Sequence, residues 1–226
     1  MQSGAAIPDY AKAYPGYGQI QSPNKQKKPM SKQVEFFFDF GSPTSYLAWT
    51  QLPRIAGEAG AQIVWRPMLL GGVFKASGNQ SPVAIPAKGR YMLQDLARFA
   101  QRYGVPLTFN PHFPINTLTL MRGAVGYLDT ERFQPYTKAV FEALWVQQKN
   151  LGNAEVVAEV LSAAGFDPAE FEQLVSDEAI KQRLKDNTEE AVRRGVFGAP
   201  SFFVGSTMYF GQDRLDFVAK ALASPS

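Results

Sequence analysis

The sequence predicts an α/β protein in which a strand–helix–strand half and a helix–hairpin–helix half are separated by a large all-helical insertion. Three observations carry that expectation. Between residues 34 and 65 the apolar pattern changes from an alternating one to a helical one and back. From Gly71 to about Asp177 only helical patterns occur. Near the C-terminus, Ser201–Val204 and Thr207–Phe210 flank Gly205-Ser206, a two-residue link suited to a tight hairpin.

Each element has a local reason. Val34, Phe36, Phe38 and Phe40 alternate with Glu35, Phe37 and Asp39, the period of a strand, and the apolar Phe37 points to a sheet covered on both faces. Pro43 suits the first helical position, where its missing N–H costs nothing, and Ser42 suits the N-cap before it. Leu52, Ile55, Ala56 and Ala59 continue at helical spacing, with a bend expected at Pro53. Gly60 is a stop, and Ala61 to Trp65 reads as a second strand, parallel to the first. In the insertion, Met92, Leu96, Phe99, Ala100 and Tyr103 share one helix face; Leu118, Met121, Val125 and Leu128 share a second; Val157, Val160, Leu161 and Ala164 share a third. Asn153 and Asp167-Pro168 are helix starts. A helix with Ile180, Leu184 and Ala191 ends near Gly195, and Asp213 to Leu222 closes the chain. This order is the thioredoxin layout with an all-helical insert, the two parts covering 34–70 with 178–226, and 71–177.

Composition bounds the function. The chain has 226 residues, 45% hydrophobic and 19% charged, enough for one sizeable core. Its formal charge of +3 belongs to the first 33 residues, where Lys12, Lys25, Lys27, Lys28 and Lys32 face Asp9 alone. The rest is nearly neutral, which argues against a nucleic-acid partner. That basic segment, rich in Gly, Pro, Gln, Ser and Lys, reads as a disordered extension. It lacks an apolar signal region, and nothing later approaches the roughly 18 apolar residues of a membrane helix, so a cytoplasmic protein without membrane partner is expected. With no cysteine and one histidine, His112, disulfides, thiolate nucleophiles and zinc sites drop out. His112 lies between prolines, and no G-x-S-x-G elbow accompanies it.

Ser42 sits on the hinge between strand and helix and is a cap worth about 1 kcal/mol or a functional hydroxyl. Ser42-Pro43-Thr44-Ser45 puts two serines where thioredoxin-like oxidoreductases carry C-x-x-C at a helix start, a place that favours negative charge. With no cysteine in the chain, a thiolate there has to come with a cofactor. Pro200 either merely opens a strand or, in the cis form, faces the first helix and turns the Ala199 backbone toward a bound peptide. Gln212-Asp213 after Gly211 is a helix start, a plain cap or a binding group. Asn79 and Lys88 flank a Pro- and Gly-rich loop that is either functional or solvated surface.

Five separated motifs, FDFGSPTSYLA, WRPMLLGGVFKASGN, PAKGRYMLQDLARFAQRYG, FNPHFPINTLTLMRG and GVFGAPSFFVG with FGQDRL, resemble the 2-hydroxychromene-2-carboxylate isomerase family, kin of the kappa-class glutathione transferases. The resemblance runs in order from about residue 34 to 224 and implies a homodimer with glutathione as cofactor. It implies that the Ser42 hydroxyl points at the glutathione sulfur and that Asn79 and Lys88 bind glutathione from the insert side. It further implies that Ala199, before a cis Pro200, pairs with the tripeptide backbone and that Gln212 and Asp213 form the γ-glutamyl site. Ala199 stands where relatives often carry valine. The substrate so implied is a small aromatic carboxylate, for which Lys75 is the candidate cation. A kappa-like transferase or peroxidase, and a non-catalytic thioredoxin-like binding module, are the alternatives.

Overall fold

The computed structural model describes residues 32–224; most of the extension expected at 1–33 lies outside them. The four strands are β1 (Gln33–Phe38), β2 (Gln62–Pro67), β3 (Ser201–Val204) and β4 (Thr207–Phe210), in the order β2-β1-β3-β4. β1 and β2 are parallel, with Phe36 opposite Trp65, whereas β3 and β4 are antiparallel to their neighbours. Helix α1 (Pro43–Glu58) joins β1 to β2. The helices α2 (Leu70–Ser77), α3 (Pro86–Tyr103), α4 (Leu118–Tyr127), α5 (Phe133–Trp145), α6 (Ala154–Ala163), α7 (Pro168–Ser176) and α8 (Glu178–Arg193) follow, and α9 (Leu215–Ala223) closes the chain. Among the described residues, no helix is long and apolar enough to cross a membrane.

Alternation in β1 places its two apolar sets on opposite faces. Phe36 stacks on Phe38 and on Phe202, with centroids 5.2 Å apart in both pairs. Phe38 and Phe40 continue into the helical segment, where Phe40 meets Phe141 edge to face at 4.8 Å. On the other face Phe37 packs with Met68, Val73, Ala191, Val196 and Phe203. Arg194 lies 3.8 Å over the Phe203 ring and forms ion pairs with Glu35 and Glu190, so α8 is pinned to the sheet by charge as well as by apolar contact.

α1 continues through Pro53, whose ring is on the exposed face. Two expectations change. β1 ends at Phe38, so Asp39 and Phe40 belong to a turn and not to the strand. The long loop after Lys75 contains a short 3-10 turn at Pro82–Ala84, and α3 begins at Pro86, one residue before Ala87-Lys88.

Candidate active site

The turn from β1 into α1 is held at nearly every polar group. The Phe40 N–H donates to Met121 Sδ (3.4 Å), and the Trp145 indole donates to the Phe40 carbonyl (2.8 Å). The Gly41 N–H donates to Asp39 Oδ1 (2.8 Å), and the Ser42 N–H to the Asp39 carbonyl (3.1 Å). Gly41 is closely packed: a Cβ there would lie 3.2 Å from Thr117 Cγ2 and 3.3 Å from the Asp39 carboxylate. Backbone groups so paired leave the turn little freedom, and Ser42 is fixed at the start of α1.

Asp39 is buried and no cation is paired with it among the described residues. Besides Gly41, it accepts from the Leu70 N–H (2.8 Å) and from the Thr117 hydroxyl (2.7 Å). Burial pushes its pKa up; the hydrogen bonds from Leu70, Thr117 and Gly41 pull the other way without cancelling that rise. One carboxylate thus ties the Ser42 turn to the first turns of α2 and α4. In the sequence Asp39 reads as a strand residue, and what sets it apart is an acid within an otherwise apolar run.

At the start of α1 the Ser42 Oγ accepts from the Ser45 N–H (3.1 Å), a side-chain cap. It lies 2.9 Å from Thr44 Oγ1, and both hydroxyls lie 3.1 Å from the Ala199 carbonyl oxygen. The Ala199–Pro200 peptide is cis. The hydroxyls of the two serines at the C-x-x-C spacing do not meet: Ser45 is fully buried, and its Oγ has no hydrogen-bond partner. Thr44 is the second hydroxyl at the site, because consecutive helical residues diverge by about 100° and Ser45 turns into the core.

A cavity of about 1040 Å³ opens beside this cluster, at the upper end of the range for small-molecule sites. Ser42, Thr44, Asn79, Lys88, Ala199, Gln212 and Asp213 all line it, as do Phe74, Tyr91, Phe113, Phe197 and Phe210. Asn79 follows Gly78, whose φ of 72° ends α2, and donates from Nδ2 to the Phe197 carbonyl (2.8 Å), bridging the loop after α2 to the loop before Pro200. Gln212 is buried and its carbonyl accepts from Tyr103 (3.0 Å). Asp213 is exposed and paired with Arg214; the Gly211 φ of 99° brings its carboxylate back against the place a Cβ would fill. Pro200 is buried behind Ala199 and does not itself line the cavity. Lys75 is not brought into the site: it is exposed in the last turn of α2, and the neighbouring Phe74 lines the cavity in its place. Lys88 is the one cation among the described lining residues.

A four-stranded mixed sheet with a cis proline facing the first helix start defines a thioredoxin-like protein. The model of the DSBA-like thioredoxin domain matches residues 33–223, and the chain belongs to that family. It is 33% identical to the 2-hydroxychromene-2-carboxylate isomerase of Pseudomonas putida over 192 residues, covering 84% of this chain and 93% of that protein. It is 29% identical to glutathione S-transferase kappa 1 of Rattus norvegicus, covering 86% and 92%. A solved structure of 2-hydroxychromene-2-carboxylate isomerase superposes with a TM-score of 0.76 at 33% identity, covering 84% of this chain and 94% of that one.

Proposed function

We propose that the chain is a glutathione-dependent isomerase that interconverts 2-hydroxychromene-2-carboxylate and trans-o-hydroxybenzylidenepyruvate, acting as a cytoplasmic homodimer in aromatic-compound degradation. The observation that carries this reading is the Ser42 hydroxyl at the N-terminus of α1, on the wall of a large cavity and 3.1 Å from the carbonyl that precedes the cis proline. The names of the relatives support it. The residues fit glutathione: a hydroxyl and a helix start for the sulfur, the Ala199 backbone for the peptide, Lys88 and Asn79 on the insert side, and Gln212 with Asp213 for the γ-glutamyl end.

Glutathione, when bound, would supply a thiol sulfur able to add to a conjugated carbon and leave again, the chemistry by which a double bond can turn as a single one. The chain's part is to favour the anionic form of that sulfur. A free thiol with a pKa of about 8.5 is only a few per cent ionised at neutral pH. A hydrogen bond from Ser42 and the positive end of the α1 macrodipole would stabilise the anion, the thiol proton passing to solvent. Phe74, Phe113, Phe197 and Phe210 offer an apolar, aromatic wall for the substrate ring.

The test is isomerisation with and without glutathione, beside Ser42→Ala. Turnover confined to glutathione-containing buffer, and lowered by roughly 10²-fold in the variant, is expected; full activity in glutathione-free buffer refutes the mechanism. A second reading, a kappa-like transferase or peroxidase, is favoured by Lys88 being the one cation among the described lining residues, since two carboxylates would then share it. Chlorodinitrobenzene conjugation measured alongside separates the two. Calorimetry with no heat from glutathione or its S-alkyl derivatives would favour a binding module, and light scattering at twice the chain mass tests the dimer.

A further inference from the structure

We propose that Thr44 is a positioning residue that makes Ser42 an obligate hydrogen-bond donor toward the bound thiolate. The inference rests on the glutathione reading above and extends it to a side chain which that reading leaves without a role.

Two hydroxyl groups carry two protons, yet three short contacts join Ser42 Oγ, Thr44 Oγ1 and the Ala199 carbonyl. Only two of the three are hydrogen bonds at any moment. In the free protein the carbonyl, with two lone pairs, takes both protons, or one hydroxyl donates to the other, which donates onward. A ligand whose own N–H engages the Ala199 carbonyl competes for those lone pairs. The Thr44 proton is then available to Ser42 Oγ, 2.9 Å away.

Ser42 has two lone pairs and one proton. The Ser45 N–H fills one lone pair at 3.1 Å, and the Thr44 hydroxyl fills the other. With both filled, Ser42 has no means of accepting from a neutral S–H; it can only give its proton to a sulfur. A site that can only donate favours the thiolate over the thiol. The Thr44 to Ser42 to sulfur chain also polarises each bond in it, which strengthens the last one. Ser45 is excluded from this part because its hydroxyl is fully buried. Thr44 is half-buried on the cavity wall, and its Oγ1 donates neither to its own helix nor to another side chain besides Ser42 among the described residues.

The experiment is a pH titration of the ultraviolet absorbance of the thiolate in the glutathione complex of wild type, Thr44→Val, Thr44→Ser, Ser42→Ala and the Ser42→Ala/Thr44→Val double variant, with binding measured by calorimetry and melting recorded for each. Valine matches threonine in shape and removes only the hydroxyl. Thr44→Val should raise the bound-thiol pKa by about one unit with little change in melting temperature, Thr44→Ser should restore it, and Thr44→Val should add nothing once Ser42 is alanine. An unchanged pKa in Thr44→Val, or an equal further shift on the alanine background, overturns the proposal while leaving glutathione binding intact. Wild type that binds no glutathione overturns the functional reading itself, and this proposal with it.

Discussion

Ser42 serves two ends with one oxygen, and substitution can separate them. Ser42→Ala removes the side-chain cap of α1, which costs about 1 kcal/mol, or roughly 2–4 °C in a chain of this size. Calorimetry should find a folded protein with that modest loss beside the large loss of turnover. Asp39 behaves in the opposite sense. Its burial raises its pKa above the unfolded value, so below the unfolded value both states are protonated and nothing is lost. Between the unfolded and the folded pKa the native state keeps its proton while the unfolded chain gives it up, so native stability falls as pH climbs. The melting temperature of Asp39→Asn relative to wild type should therefore rise between acid and neutral pH, although the amide cannot accept from both Leu70 and Gly41 as the carboxylate does. A constant or falling difference across that range would contradict the burial effect. The hinge serine was visible in the sequence because strand and helix patterns meet there. Thr44 was hidden, since the C-x-x-C analogy fixes attention on the fourth residue, which helical geometry turns inward. Lys75, the cation expected for a carboxylate, is exposed on α2 outside the cavity lining, a placement that the sequence around it does not specify.

Among the elements, those bounded by turn and cap residues are legible in the sequence, and α2 and α5 are not. The hairpin strands fall at Ser201–Val204 and Thr207–Phe210, as expected from the Gly205-Ser206 link. Helix α5 carries no expectation, although Gln134, Lys138 and Glu142 fall four apart on its wetter face, opposite the buried Phe133, Tyr136, Val140, Phe141 and Leu144. Helix α2 has no start signal in the sequence: it has no side-chain cap of its own, and its first N–H groups are taken by Thr188 and Asp39 from distant segments. α4 packs closely on its neighbours through glycine. A Cβ on Gly123 would strike the Tyr136 hydroxyl and lie 2.6 Å from Phe171, and one on Gly126 would lie 2.7 Å from Leu174. Overpacking of this kind costs about 1–3 kcal/mol. Gly123→Ala should lower the melting temperature by several degrees, measured by calorimetry, while an unchanged value would mean that α5 and α7 yield easily.

For the whole molecule, the cavity lies where the insertion meets the sheet half, with Asn79 and Lys88 contributed by one and Ala199, Gln212 and Asp213 by the other. A ligand held by both should stabilise the fold as a unit. At a glutathione concentration about 100-fold above Kd the gain is about 2.7 kcal/mol, so a rise in melting temperature of roughly 5–10 °C is expected. Hydrogen exchange should slow at 78–88 and 197–199 together; protection of one segment alone would mean that the ligand engages a single wall. The two halves also share a core, in which Phe38 and Phe40 of the β1 end lie against Tyr136 and Phe141 of α5. The indole that holds the Phe40 carbonyl comes from the last residue of α5, and so the backbone beneath Ser42 is built partly from the insertion. A chimera carrying the helical segment of one relative on the sheet of another would inherit a new floor along with its new walls. Changes of substrate preference are therefore better sought in single replacements at the aromatic rim, such as Phe74 or Phe197, than in exchange of the helical block.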